Sequence, residues 1–152
     1  MLRPYIRGEV GNQTSPYATA GAYFAHGLIH ANQFTPELHN FFMDGYRSSA
    51  HSEPILHGVS LGLGVVGMAT RDEQLYEKLK ETLYNHANAA VVGEAAAYGM
   101  GLVMVGSGDE NAIEEMMTQA SESEHEKIIR ALSISSALVV FGLQEKAEGL
   151  IE

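Results

Sequence analysis

The chain has 152 residues, of which 45% are hydrophobic, a formal net charge of −10 and no cysteine. The hydrophobic fraction excludes general disorder, and the absence of cysteine excludes both a disulfide framework and a thiolate metal site. Nucleic-acid binding is not expected, because phosphate contacts need clustered Lys and Arg side chains.

The first 17 residues are predicted to be irregular, because proline and glycine interrupt every periodic pattern within them. They do not resemble a basic and apolar leader, so no signal peptide is expected. A glycine-rich, apolar segment then runs from about residue 18 to residue 31. It is longer than a usual strand of about 4–8 residues, which favours a buried helix.

An amphipathic helix is predicted next, with Thr35 as its N-cap and Pro36 as its first residue. Its apolar face is formed by Leu38, Phe41, Phe42 and Tyr46. The same alternation continues along the chain, with glycine-rich segments at about 55–69, 89–106 and 127–141 and amphipathic segments at about 70–84, 109–120 and 144–152. In the amphipathic segment 70–84, the side chains predicted to face inward are Leu75, Tyr76, Leu79, Leu83 and Tyr84. Asp109 is the predicted N-cap of the next amphipathic segment, and the last is so short that the chain is expected to end inside a repeat.

The glycine-rich segments repeat one pattern at intervals of 37, 37 and 36 residues. The residues that define this spacing, called anchors below, are Gly27, Gly64, Gly101 and Ala137. Small residues also recur six positions before the anchors (Gly21, Gly58, Ala95, Ala131), two before them (Ala25, Gly62, Gly99, Ser135) and, in three copies, five after them (Ala69, Gly106, Gly142, with Asn32 in the first). A constant period of this length is typical of a repeat array. It predicts an array over residues 18–152, with repeats at about 18–50, 55–87, 89–122 and 127–152.

Each unit is predicted to be a pair of helices, and the array an all-α solenoid. Glycine inside a helix costs about 1 kcal/mol relative to alanine, so its recurrence indicates positions where helices approach closely. The recurring small residues are therefore predicted to be structural. The amphipathic second helices would shield this inner layer; their carboxylates most simply form a solvated face, with docking to a basic partner as the alternative. Repeats exposed at the ends of an array lack polar caps, which predicts self-association.

A nucleotide-dependent enzyme is an alternative, because Gly62-Leu-Gly64-Val-Val-Gly67 satisfies the G-x-G-x-x-G pattern. A dinucleotide site also needs a preceding strand, a helix that opens at the motif and an acidic residue about 20 positions later. Glu81 has roughly that spacing but lies in a predicted helix, and no strand is predicted. The repeat explains these glycines better.

Two other patterns have simpler explanations as packing features. His26 and His30 have the i, i+4 spacing of two metal ligands, but residue 27 is glycine rather than a general base and no third ligand is apparent. Residues 89–107 form an almost uncharged run long enough to span a bilayer. Glu94 and several glycines interrupt it, so a buried helix is preferred. No catalytic, cofactor-binding or metal-binding residue is predicted.

The glycine-rich segments resemble the proteasome/cyclosome repeat. The resemblance rests on Gly27-Leu-Ile-His-Ala-Asn32 and Gly93-Glu-Ala-Ala-Ala-Tyr-Gly-Met-Gly-Leu-Val-Met-Val-Gly-Ser107, and is strengthened by Gly58-Val-Ser-Leu-Gly-Leu-Gly64 and Glu124-His-Glu-Lys-Ile-Ile-Arg-Ala-Leu132. It covers about residues 15–152. It is greatest to the repeat region of the larger of the two large non-ATPase subunits in the base of the 26S proteasome regulatory particle. In that family such hairpins close into a toroid with two rings of helices, of which this chain would form an arc.

The resemblance implies a non-catalytic scaffold that organises subunits for the degradation of ubiquitinated proteins, in the cytoplasm and the nucleus. The implied partners are other subunits of the regulatory particle: the ATPase ring, the lid and, through parts of the longer protein, ubiquitin receptors. It implies no cofactor, no nucleic acid and no membrane. A peptide-binding module of the armadillo or tetratricopeptide type is a further alternative, although the signature residues of those repeats are missing.

Overall fold

The computed structural model describes residues 15–48, 52–144 and 147–148. Within these residues it contains seven α-helices and no strand. They are α1 (Pro16–Ile29), α2 (Pro36–Ser48), α3 (Glu53–Val66), α4 (Glu73–Asn85), α5 (Ala90–Val103), α6 (Glu110–Glu122) and α7 (Glu126–Val139). The prediction of an all-α solenoid is confirmed.

The helices repeat with the period of the sequence. The first helices of the pairs, α1, α3, α5 and α7, are each 14 residues long and begin at residues 16, 53, 90 and 126. The second helices, α2, α4 and α6, are each 13 residues long and begin at residues 36, 73 and 110. The starting points within each set are therefore 37 or 36 residues apart, as the glycine pattern predicted.

Polar caps fix where several helices begin. The predicted caps are confirmed: Thr35 Oγ1 accepts a hydrogen bond from the third residue of α2, and an Asp109 carboxylate oxygen accepts one from the third residue of α6, at 3.3 and 3.0 Å. Helix α1 begins slightly earlier than expected, because Ser15 caps it and Pro16 occupies its first position. The rest of the predicted irregular segment, and most of the short amphipathic segment predicted at 144–152, lie outside the described residues.

The first helices lie side by side and form one layer, in which α3 contacts α1, α5 contacts α3, and α7 contacts α5. The second helices form the other layer. Each packs more extensively on the first helix of the following repeat than on that of its own: α4 contacts α5 more than α3, and α6 contacts α7. The second helix therefore ties one repeat to the next.

The core lies between the two layers, where Phe42, Leu79 and Met116 of the second helices are fully buried. Tyr84 was predicted to face inward, and this is wrong: its side chain is 50% exposed. Tyr84 lies on the last turn of α4, about 140° around the helix from Leu79, which is in the middle of the buried stripe. No described element covers that side of the turn closely enough to bury the ring.

Candidate functional site

The glycines of neighbouring first helices meet in a line that we call the inter-repeat seam. Each contact joins the anchor of one repeat to the residue two positions before the anchor of the next. The pairs are Gly27 with Gly62, Gly64 with Gly99, and Gly101 with Ser135. A Cβ added to the first residue of each pair would lie 2.5–2.6 Å from the Cα of the second, whereas ordinary contacts are 3.4–4 Å. No side chain fits at these three anchors without moving a helix.

The other recurring small positions differ in how closely they are packed. A Cβ on Gly58 would collide with the carbonyl of Ala20, and the equivalent Ala95 and Ala131 are fully buried. Gly21 is exposed, and among the described residues no heavy atom lies within 4 Å of a Cβ built there. The expected close approach is therefore absent at Gly21, because no described helix precedes α1. Ala137, the last anchor, is exposed at the other end of the array.

The turn after each first helix has a left-handed residue five positions after the anchor. Asn32, Ala69, Gly106 and Gly142 have φ values of 54°, 61°, 67° and 78°. Glycine adopts this conformation without strain, which explains its recurrence there. Sequence reasoning identified the recurrence of these positions but not their conformation, because only two of the four residues are glycine.

These turns cap the next first helix. The amides of Asn32, Ala69 and Gly106 donate to the carbonyl oxygens of Val65, Leu102 and Leu138, at 3.0–3.1 Å. Two residues further along, the amides of Arg71 and Gly108 donate to Val103 and Val139, at 3.1 and 2.9 Å. The acceptors lie in the last turns of α3, α5 and α7, where helix carbonyls lack partners within the helix. The backbone of one repeat therefore fixes the position of the next.

Buried hydroxyl groups add hydrogen bonds that the sequence reasoning missed. Ser135 Oγ donates to the carbonyl of Ala97 across the seam, at 2.8 Å. Tyr46 OH donates to Ser60 Oγ at 2.9 Å, and burial raises the pKa of Tyr46 to about 12. The sequence feature that could have indicated these hydrogen bonds is the presence of serine in segments that are otherwise apolar or rich in glycine. Both bonds link different helices.

A polar cluster in the outer layer joins α4 to α6. Tyr76 OH and Lys80 Nζ each donate to the Glu115 carboxylate, at 2.9 Å. Burial, followed by the hydrogen bond to Glu115, raises the pKa of Tyr76, and the hydrogen bond to Glu115 raises the pKa of Lys80. The other glutamates of α6 (Glu110, Glu114, Glu122) are exposed and form no ion pair with a described residue. Helix α6 therefore has an acidic outer surface.

The glycines of the G-x-G-x-x-G pattern do not form a nucleotide site. A phosphate-binding loop needs these glycines at a helix N-terminus, but α3 runs from Glu53 to Val66, and Gly62 and Gly64 lie towards its C-terminal end. The space beside these two glycines is filled, by the ring of Phe42 at Gly62 and by the backbone of Gly99 at Gly64. No feature of the described residues supports a nucleotide-dependent enzyme.

The histidine pair and the apolar run are also part of the packing. The ring centroids of His26 and His30 are 4.8 Å apart, and His26 lies 4.6 Å from the ring of Phe41. Among the described residues, no three or more His, Asp or Glu side chains are grouped so as to hold a metal ion. The apolar run forms α5, and no helix in the described part of the chain is long and apolar enough to cross a membrane.

Stacked helix pairs joined by a glycine seam define this protein as an α-solenoid. Residues 95–129 match the family model of the proteasome/cyclosome repeat. The resemblance to this repeat that the sequence indicated is thus confirmed.

Curated relatives match the chain along its whole length. It is 43% identical over 152 residues to the 26S proteasome regulatory subunit rpn2 of Schizosaccharomyces pombe. It is 44% identical over 153 residues to the 26S proteasome non-ATPase regulatory subunit 1 homolog A of Arabidopsis thaliana, and 40% identical over 151 residues to the 26S proteasome non-ATPase regulatory subunit 1 of Drosophila melanogaster. These alignments cover 99–100% of the chain but only 14–15% of each relative. The chain is thus similar to one part of these subunits.

Proposed function

We propose that the chain is a non-catalytic scaffold segment of the base of the 26S proteasome regulatory particle. The observation that carries this proposal is the inter-repeat seam, together with the similarity of the whole chain to subunits named as regulatory and non-ATPase. A scaffold needs a fixed distance between its binding surfaces. Backbone-to-backbone contact at the seam and the capping of each helix by the preceding turn provide that fixed distance.

The proposed mechanism is geometric. The small residues at the seam set the spacing of the first helices, and Gly106 and Gly142 allow the left-handed turns that follow the first helices. The second helices and the loops then present the surface that contacts other subunits. The acidic surface of α6 suits a basic partner surface, because charge complementarity selects partners and orients them. Contacts with the ATPase ring, the lid and ubiquitin receptors would involve the longer protein, acting in the cytoplasm and the nucleus.

A segment exchange tests this proposal. The aligned segment of the Schizosaccharomyces pombe rpn2 subunit would be replaced by the 152-residue chain, and proteasomes would be purified through another subunit. We expect the chimera to co-purify with the regulatory particle and to support degradation of a ubiquitinated substrate. The matched control is the same chimera with Gly64→Leu, which places a large side chain against Gly99. We expect this variant chimera to be absent from the purified particle, because the leucine side chain would keep α3 and α5 apart at the inter-repeat seam.

Two results would contradict the proposal. One is a chimera that is stable in extracts but absent from the purified particle. The other is normal incorporation of the Gly64→Leu chimera, which would show that the spacing of the first helices is irrelevant to assembly. A chimera with Glu110→Lys and Glu114→Lys separates the acidic surface from the seam. It should fold normally and bind its neighbours less tightly, and the difference should shrink at high salt.

A further inference from the structure

A polar pocket of about 250 Å³ lies between the second and third repeats, where the second helices end. Its walls are the last turn of α4 and the turn after it, the last turn of α6 and the connector to α7, and the first turn of α7. We call it the connector pocket. All of these segments are among the described residues, so two neighbouring repeats enclose the pocket, and neither end of the array contributes to it.

Gln119 brings an unpartnered acceptor to the connector pocket. Its side chain lines the pocket, and its Oε1 atom is buried and accepts no hydrogen bond from any described residue. At the same position of the preceding second helix, the hydroxyl of Thr82 is paired, because it donates to the carbonyl of Lys78 at 2.8 Å. A buried acceptor without a donor is rare in folded proteins, because it has lost its hydrogen bonds to water. A donor held in the pocket can supply the missing hydrogen bond.

The charged residues that line the connector pocket are both acidic. They are Glu122 and Glu124, which are exposed and form no ion pair with a described Lys or Arg. The residue equivalent to Glu122 in the preceding second helix, 37 positions earlier, is Asn85. The negative charge is therefore particular to this connector and is not a feature of the repeat.

The ends of three helices also border the connector pocket. The C-termini of α4 and α6 favour a cation, whereas the N-terminus of α7 by itself favours an anion, and each end is equivalent to roughly half an elementary charge. The full charges of Glu122 and Glu124 outweigh the one positive helix end. The pocket therefore favours a positively charged ligand.

We propose that the connector pocket binds the guanidinium group of an arginine side chain from a partner protein. A guanidinium has five N–H donors in a rigid fork and no acceptor, so it can donate to Gln119 Oε1 and to carboxylates at the same time. It is also less strongly hydrated than the ammonium group of lysine, which lowers the cost of entering a pocket.

The walls of the pocket suit an arginine that belongs to a protein. Leu83 and Ile128, each 1% exposed, supply an apolar surface for the methylene groups of the side chain. Free arginine fits less well, because its own carboxylate would lie close to Glu122 and Glu124. The proposal concerns the chain by itself, so it does not depend on assembly into the regulatory particle.

Nuclear magnetic resonance of the isotope-labelled chain tests this proposal, with the blocked tripeptide acetyl-Gly-Arg-Gly-amide as the probe. In about 0.15 M salt, where distant charges are screened, the peptide should shift the side-chain amide resonances of Gln119 and the backbone resonances of residues 122–125, and the shifts should saturate. The same peptide with citrulline, which has nearly the shape of arginine but no charge, should cause no shift. The lysine peptide and free arginine should both bind more weakly.

Two double variants with the same change in charge decide where the peptide binds. Glu122→Gln with Glu124→Gln should weaken binding by at least about threefold. Glu110→Gln with Glu114→Gln is the matched control on the outer surface of α6 and should leave binding unchanged. All four glutamates are exposed, so circular dichroism should show unchanged helix content. Gln119→Leu, which removes the acceptor, should also weaken binding.

Several results would overturn the proposal. Equal weakening by the two double variants would show that binding follows net charge alone. Equal binding of the citrulline and arginine peptides would show that the charge is irrelevant, and tighter binding of the lysine peptide or of free arginine would exclude the proposed ligand. Shifts of the same resonances by acetate would show that the N-terminus of α7 dominates. Finally, the absence of shifts up to the highest soluble peptide concentration would show that the pocket does not bind a guanidinium.

Discussion

Replacing Gly64 with alanine should destabilise the array relative to the same replacement at Gly21. Both glycines lie inside first helices, so alanine gains about 1 kcal/mol of helix propensity at either site. The two environments differ. A Cβ at position 64 would lie 2.5 Å from the Cα of Gly99, whereas a Cβ at position 21 has no described heavy atom within 4 Å. The comparison therefore isolates the effect of close packing.

The expected size of the effect follows from these distances. To bring the new Cβ to an ordinary contact of at least 3.4 Å, α3 and α5 must separate by roughly 1 Å. Inserting a methyl group into a well-packed interior typically costs about 1–3 kcal/mol. Gly21→Ala should therefore raise the free energy of unfolding by up to about 1 kcal/mol. Gly64→Ala should be less stable than Gly21→Ala by about 1–3 kcal/mol.

Urea unfolding followed by far-ultraviolet circular dichroism measures this difference, with both variants at the same low protein concentration. In thermal unfolding, 1 kcal/mol corresponds to roughly 2–4 °C for a chain of this size. If the two variants shift the midpoint equally and in the same direction, the glycines of the seam are not needed for close approach. The explanation of the sequence pattern would then be wrong.

Three further predictions concern hydrogen bonding, pH and backbone conformation. Ser135→Ala should lower the free energy of unfolding by about 0.5–1.5 kcal/mol in urea, because it removes the hydrogen bond to Ala97; an unchanged midpoint would contradict this. Burial raises the pKa of Tyr46 to about 12, above the value of about 10 in an unfolded chain. The contribution of Tyr46 to the free energy of unfolding should therefore be complete below pH ~10 and be lost as pH rises towards 12. In urea midpoints measured across this pH range, Tyr46→Phe should lose less stability than the unchanged chain. An identical pH profile for the two proteins would refute the prediction. Ala69→Gly should raise the free energy of unfolding in urea by about 0.5–1 kcal/mol, because alanine at a φ of 61° is strained. Gly106→Ala should lower the free energy of unfolding, because it places alanine in the same conformation. If both substitutions stabilise the chain, or both destabilise it, the reasoning is wrong.

The sequence by itself determined the features that depend on nearby residues or on the period. The spacing of 37 and 36 residues reappears as the spacing of the first helices. Thr35 and Asp109 were predictable caps, because a cap acts on an amide three residues away. The recurrence of glycine at the anchors indicated close helix contacts, since glycine is costly in a helix unless the space is needed.

Only the tertiary structure decided which residues meet. The pairing of Gly64 with Gly99 joins positions 35 residues apart, and local periodicity contains no information about that register. Gly21 and Gly58 occupy the same repeat position, yet Gly58 abuts Ala20 while Gly21 is exposed. The physical reason is that contact depends on the neighbouring helix as well as on the residue. No described helix precedes α1, although its own sequence follows the same pattern.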